Sequence, residues 1–241
     1  MADFFKRSEI LKTINLDSRL SLVASLVRNG SRIADIGTDH AYIPVYLLQS
    51  GVSPSAVAAD LRKMPLENAK KTIETYSFSN SITTALSNGL DSIDKDCCDD
   101  IIIAGMGGLL IKEILSRTEW VYNKKYRLVL QPMSHQEDVR RFLFEHGFKI
   151  VREKCCLDGK HCYCVIAAEF TGEKYNYTPA RIFTGTLPEN DDEAAAVYLN
   201  NQLLRLEKRK NALQKAGTEP DEVKRLSEII DDFKRITEDL I

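Results

Sequence analysis

The amino-acid sequence predicts a doubly wound α/β domain followed by an antiparallel helical hairpin, on three observations. Five short apolar runs, four of them followed by a helical stretch, lie between residues 31 and 145. The alternation then gives way to two strand-like segments around Asp158-Gly159, and two leucine-rich stripes at three-and-four spacing close the chain. Strand–helix alternation implies a parallel sheet covered by helices on both faces.

Asp17 or Ser18 can cap an opening helix, in which Leu20, Val23, Ala24 and Val27 recur at helical spacing until Gly30 ends it. Residues 31–37 read as the first strand, because Ile33, Ala34 and Ile36 form the near-continuous apolar run of a strand buried on both faces. A helix follows over 42–50. The second strand is 55–61, and its helix runs through Glu67, Ala69 and Ile73. The third strand is 82–85. The fourth is 100–104 with its helix at 109–115, and the fifth is 127–131 with its helix at 136–145. Segments 148–154 and 161–170 flank Asp158-Gly159 and read as an antiparallel hairpin.

Residues 171–190 are polar, with Pro179 and Pro188 as breakers, and read as linker. Ala196, Leu199, Leu203, Leu206 and Leu213 then mark a long helix, broken in pattern by Lys210 and capped by Gly217. Thr218 and Pro220 open the next helix, which carries Val223, Leu226, Ile230, Phe233 and Leu240. Two stripes joined by a short turn predict an antiparallel coiled coil. The expected divisions are an α/β domain over 1–172, a linker over 173–190 and the hairpin over 191–241. Because the hairpin has its own apolar seam, the α/β part is expected to fold without it.

Composition narrows the function classes. The length of 241 residues suffices for one sizeable core and a small appendage. The net charge of −2 gives no bulk attraction to nucleic acid, so only a local basic patch could supply it. No apolar run reaches the roughly 20 residues of a membrane span, and the stretch from Met1 to Arg7 opens no apolar signal region. A soluble cytoplasmic protein is expected, with a monomer as the working state. Cys97, Cys98, Cys155, Cys156, Cys162 and Cys164 lack Cys-x-x-Cys spacing, so they read as reduced, packed thiols rather than as disulfides or a zinc site. No metal is expected.

Four motifs meet at the carboxyl edge of the predicted sheet, which is the binding edge of such folds. Asp35-Ile36-Gly37 ends the first strand, where glycine allows close backbone approach to a ligand. Asp60-Leu61 ends the second, and an acidic side chain there can accept hydrogen bonds from ribose hydroxyls. Asn88-Gly89 ends the third, and its amide oxygen can accept from an adenine amino group. Ala104-Gly105-Met106-Gly107-Gly108 ends the fourth. Taken singly, each has an ordinary reading as a strand end, cap or turn; their order and spacing carry the signal. A full Gly-x-Gly-x-x-Gly is missing after Gly37, which counts against a pyrophosphate-bearing nicotinamide cofactor.

Five parallel strands closed by an antiparallel pair resemble the Rossmann-like methyltransferase fold. More specifically, residues 35–44 (Asp-Ile-Gly-Thr-Asp-His-Ala-Tyr-Ile-Pro), residues 103–108 (Ile-Ala-Gly-Met-Gly-Gly) and Leu130-Gln131-Pro132 resemble the bacterial tRNA adenine-22 N1-methyltransferase family. The opening helix and terminal hairpin fit as well, so the resemblance covers essentially the whole chain. It implies S-adenosylmethionine as cofactor and N1 of an adenine in the tRNA D-arm region as acceptor. Two departures stand out: Asp60 where the family commonly has Glu, and Asn88-Gly89 where it commonly has Asp-Gly. Both keep an acceptor oxygen.

The implied cofactor residues are Asp35, Gly37, Asp60, Leu61, Asn88, Gly89, Ala104, Gly105 and Met106. Asp39, His40 and Tyr42 are the polar candidates for orienting the base, with loop bracing as their plain structural reading. Gly107, Gly108, Gln131 and Pro132 are expected beside the substrate. Arg205, Lys208 and Arg209 share one helical face and are expected to meet tRNA phosphates, against the plain reading of a solvated charged face. Arg19, Arg28, Lys124, Lys125, Arg140 and Arg141 could extend that basic surface. A methyltransferase for a small molecule or protein, or a binding module without catalysis, remains the alternative.

Overall fold

A computed structural model describes residues 13–189 and 192–238. The Leu240 position of the last stripe and the segment from Met1 to Arg7 lie outside them. Asp17 caps α1 (Ser18–Ser25), its carboxylate accepting the Leu20 N–H at 2.7 Å. The helix stops well before Gly30, because Leu26 and Val27 turn down into the core. Gly30, at φ +81°, makes the turn into the first strand.

The sheet has seven strands: β1 (Ile33–Ile36), β2 (Ala56–Asp60), β3 (Ile82–Leu86), β4 (Asp100–Gly107), β5 (Arg127–Ser134), β6 (Phe148–Asp158) and β7 (His161–Phe170). Their order is β3-β2-β1-β4-β5-β7-β6, with β7 antiparallel to both neighbours. Strands β4 and β5 run past their expected ends at 104 and 131. Their pairing persists through register shifts at Ala104/Met106 and Met106/Gly107.

Side chains alternate across the strands, so the sheet has two apolar faces. Ile33, Ala58, Ile102 and Val129 face α1, α2 (Tyr42–Gln49) and α3 (Lys63–Thr75). Ala34, Ile36, Ile101 and Leu128 face α4 (Gly108–Ser116) and α5 (Gln136–Glu145). This second cluster continues without a break into Leu199 and Leu206 of α7 (Glu193–Ala216) and into Leu226 and Phe233 of α8 (Pro220–Ile236).

That continuity joins the helical hairpin to the α/β part in one apolar cluster. The stretch expected as linker carries α6 (Arg181–Thr184), and Ala180, Ile182 and Leu187 are buried. Beneath it Arg140 and Glu153 form an ion pair at 2.7 Å with both side chains fully buried. Arg140 also donates to the carbonyls of Ile182 and Phe183, each at 3.1 Å, and to the Tyr198 hydroxyl at 3.3 Å. A buried guanidinium is tolerable only with such partners. Cutting the chain after residue 172 would remove three of them along with the apolar cover.

Cys155 lies opposite Cys164 in the β6–β7 ladder, and all six cysteines are free. Among the described residues, no helix is long and apolar enough to cross a membrane.

Candidate active-site cleft

The carboxyl ends of β1 and β4 open into a cleft of about 370 Å3. Asp35, Gly37, Ala104 and Gly105 line it as expected, together with Asp39, His40 and Tyr42 from the loop into α2. Arg19 and Leu20 of α1 and the capping residue Asp17 supply a further wall.

Asp35 is 5% exposed, and no cation stands within ion-pair distance of it among the described residues. Burial pushes its carboxyl up to about 6, against a smaller downward pull from the Thr38 hydroxyl bonded to it. Thr38 also accepts the Ala41 N–H at 3.0 Å. Ala41 is fully buried in the left-handed conformation at φ 55°, so this tight turn fixes its neighbours on the rim. There the His40 and Tyr42 rings stack at 5.0 Å with 14° between planes, and His40 Nε2 sits 3.2 Å from Asp39. His40 and Tyr42 thus present a flat polar platform at the mouth of the cleft.

Gly37, at φ +80°, ends β1 against Met106: a Cβ there would lie 2.1 Å from the Met106 methyl. The approach expected for a ligand is therefore taken up by a flexible thioether of the same chain. Gly105, at φ +79°, borders the cleft, and an added Cβ would meet only Arg19 Nη1, at 3.5 Å. Gly107 has similar room, with Ser134 Oγ at 3.5 Å. Gly108 differs. A Cβ there would fall 2.4 Å from the His135 carbonyl oxygen, so this glycine serves backbone packing rather than space for a ligand.

Gln131 and Pro132, expected at the substrate, are buried. The Gln131 carboxamide oxygen accepts the Gly105 N–H at 3.1 Å and Arg19 Nη1 at 3.0 Å. Gln131 therefore holds the glycine rim from below and ties α1 to it. The Pro132 carbonyl accepts from Gln136 at 3.1 Å. Strand-end position pointed to these residues, but contacts spanning 26 and 112 positions have no local signature.

The ends of β2 and β3 continue the same edge outside this cleft. The Asp60 carboxylate accepts the Arg62 N–H at 2.7 Å, and Leu61 is exposed. Asn88 is exposed, with its carbonyl accepting from Arg117 at 2.8 Å. Gly89, at φ +61°, is pressed against Ile114 and Arg117 of the α4 region, so its need for glycine is internal.

Among the described residues, several of the cations named for a basic surface are taken up by partners or turn inward. Arg28 pairs with buried Asp100, Arg140 is sealed inside with Glu153, Arg141 pairs with Asp138, and Arg19 turns into the cleft. Arg209 pairs with Glu222 across the hairpin at 2.8 Å. Arg205 has no carboxylate partner among the described residues and lines a second concavity with Ser134 and His135. Lys208 is exposed one turn away. Among the described residues, one trio of metal-capable side chains converges: His135, Glu137 and Asp138 at the start of α5. His135 Nδ1 is 3.2 Å from Asp138, and the imidazole is half in solvent.

Comparison with known proteins adds four findings. A family model described as a methyltransferase domain matches residues 16–166. A tRNA (adenine(22)-N(1))-methyltransferase of Bacillus subtilis is 31% identical over 95% of this chain and 98% of its own. Among solved structures, the B. subtilis m1A22 tRNA methyltransferase TrmK superposes with a TM-score of 0.83 at 27% identity, covering 93% of this chain and 99% of that one. A Streptococcus pneumoniae protein described as a putative tRNA (m1A22) methyltransferase, solved with S-adenosyl-L-methionine, gives 0.76 at 30% identity, covering 92% and 100%.

Proposed function

Because the chain belongs to the tRNA (adenine-22 N1)-methyltransferase family, we propose that it transfers the methyl group of S-adenosylmethionine to N1 of adenine 22 in the tRNA D-arm region. The single observation that carries the reading is the cleft at the ends of β1 and β4, with a buried carboxyl that meets no cation among the described residues. S-adenosylmethionine brings a sulfonium and an ammonium group, which suit that carboxyl. Its lack of phosphates suits a rim without the dinucleotide glycine pattern.

Asp35, Gly37, Ala104, Gly105 and Met106 are assigned to the amino-acid end of the cofactor. Asp60, Leu61, Asn88 and Gly89 follow along the edge toward its ribose and adenine. The cofactor supplies an electrophilic methyl carbon. Adenine N1 is already a neutral nucleophile with a free lone pair, so the protein's main task is to align it with that carbon. His40 and Tyr42 orient the base with their stacked platform, and Asp39 holds the imidazole. Gly105 and Gly107 leave room for the ring, and Gln131 keeps them in place from below. Base pairing covers N1 in a duplex, so the adenine must leave its stack to reach the rim.

Arg205 and Lys208 offer positive charge for phosphates, and Arg209 offers less because Glu222 neutralises it. A tRNA substrate fits a cytoplasmic enzyme, and a monomer is the state to check by light scattering. The deciding experiment is methyl transfer from labelled S-adenosylmethionine to unmodified tRNA, followed by nucleoside analysis. N1-methyladenosine at position 22 is expected. Label in a protein or small molecule, with none in tRNA, would overturn the assignment.

A further inference from the structure

A second concavity of about 300 Å3 opens on the far side of the glycine rim. Ser134 and His135 line it from the β5–α5 turn, Phe183 from α6, and Gln202, Arg205 and Leu206 from α7. Ser134 is the register partner of Gly107, so the rim of the first cleft leads directly into it.

Gln202 is 6% exposed as a residue, and among the described residues nothing hydrogen-bonds to its carboxamide, whose polar atoms keep access to the hollow. An amide that opens only into such a hollow can exchange water there for a ligand. The carboxamide faces a hollow where a ligand could supply both the donor and the acceptor it lacks. Phe183 is held there by its own carbonyl, which accepts from the buried Arg140 guanidinium at 3.1 Å. Arg205, which has no carboxylate within ion-pair distance among the described residues, adds positive charge at the same hollow, where Glu137 and the Glu222-paired Arg209 are also part of the wall.

A carboxamide, an aromatic face and a free guanidinium match the base edge, base plane and phosphate of a nucleotide. We propose that this concavity is a second nucleotide subsite, which takes an unpaired nucleotide of the tRNA close to the target adenine. The base edge meets Gln202, its face rests on Phe183, and its phosphate meets Arg205. This rests on the tRNA reading above and deepens it: the enzyme recognises a second extruded base where the hairpin joins the sheet, in addition to the methylated one.

The test compares the wild type with Gln202→Leu and Phe183→Ala in methyl transfer to unmodified tRNA, with cofactor affinity measured by calorimetry. The Michaelis constant for tRNA is expected to rise about tenfold in each variant, as loss of one base contact implies. Cofactor affinity and the rate at saturating tRNA should stay unchanged. Substrates carrying single abasic positions around the D-arm then identify the base. The abasic position that weakens the wild type about tenfold should cost Gln202→Leu nothing further.

An active wild type with unchanged tRNA constants in both variants overturns the subsite and leaves the function standing. The subsite falls equally if every abasic position affects wild type and Gln202→Leu to the same degree. A wild type that methylates no tRNA overturns the functional reading and the subsite together.

Discussion

Two buried aspartates on neighbouring central strands make an instructive pair. Asp100 begins β4 at the amino rim of the sheet and is fully buried; Asp35 lies near the end of β1 at the carboxyl rim and is nearly so. At the amino rim the chain supplies the countercharge: Arg28 Nε donates to Asp100 at 2.7 Å, and the Arg28 backbone N–H donates at 2.8 Å. Next to it Arg32 holds the Asp99 carboxyl down at about 2 through hydrogen bonds and charge. At the carboxyl rim no such cation arrives from the described residues, and Asp35 is met by a hydroxyl. The same residue type therefore closes the fold at one end and, among the described residues, faces a cleft without a countercharge at the other.

The largest expected effect breaks the first half of this pair. Asp100→Ala should lower stability by about 3 kcal/mol, because it strands a guanidinium and a backbone N–H at the sheet edge. Urea unfolding measures it, and cofactor affinity of the folded fraction should not move. Asp35→Asn should do the reverse. Cofactor affinity falls by about 2 kcal/mol, since a charged acceptor is lost, while stability at pH 8 holds or rises. A destabilised Asp35→Asn protein with intact cofactor affinity would reverse the comparison.

Acidity sharpens the second half. Asp35 ionises at about 6 in the fold against 3.8 ordinarily, so the free folded chain keeps a proton that the unfolded chain loses in that window. Its contribution to stability is complete below the ordinary value and is lost as pH rises through about 6. Binding of a cationic cofactor runs the opposite way and should strengthen over the same rise, by up to about tenfold per pH unit below the midpoint. Asp17, Arg19, Asp39 and His40 also face the cleft, so the slope must vanish in Asp35→Asn to belong to Asp35. The smallest expected change is Asp60→Ala, about 1 kcal/mol of cofactor affinity, because the Arg62 N–H already engages that carboxylate.

What the sequence shows of this molecule divides along the same line. The strand–helix alternation, the antiparallel pair at Asp158-Gly159 and the hairpin stripes are local periodicities, and each appears where expected. Asp35, Gly37, Ala104 and Gly105 were legible as strand ends on one edge, and they do line one cleft. Arg140, by contrast, looked like one more surface cation on an amphipathic helix. Its burial depends on Glu153, on carbonyls more than 40 positions away and on Tyr198, which no window of sequence reveals. Gln131 and Arg19 were hidden in the same way, joined across 112 positions. The stripe on α7 was correctly periodic, but periodicity does not say that the helix packs on the α/β core as well as on α8.

The Arg140 network also bears on the order in which the chain can be made and folded. Glu153 leaves the ribosome soon after Arg140, but Ile182, Phe183 and Tyr198 follow Arg140 by 42, 43 and 58 residues. Until then the α5–β6 junction holds an ion pair lacking its remaining partners, under an apolar surface awaiting Leu199, Leu206 and Phe233. Domains ordinarily fold as units as they emerge, and this one acquires its last unit with its final helices. Nascent chains halted at residue 175 should remain protease-sensitive at the β6–β7 ladder, whereas full-length chains on a tethering linker should resist. Completion of this core thus waits on α7 and α8, which gives the hairpin a part in folding order as well as in packing.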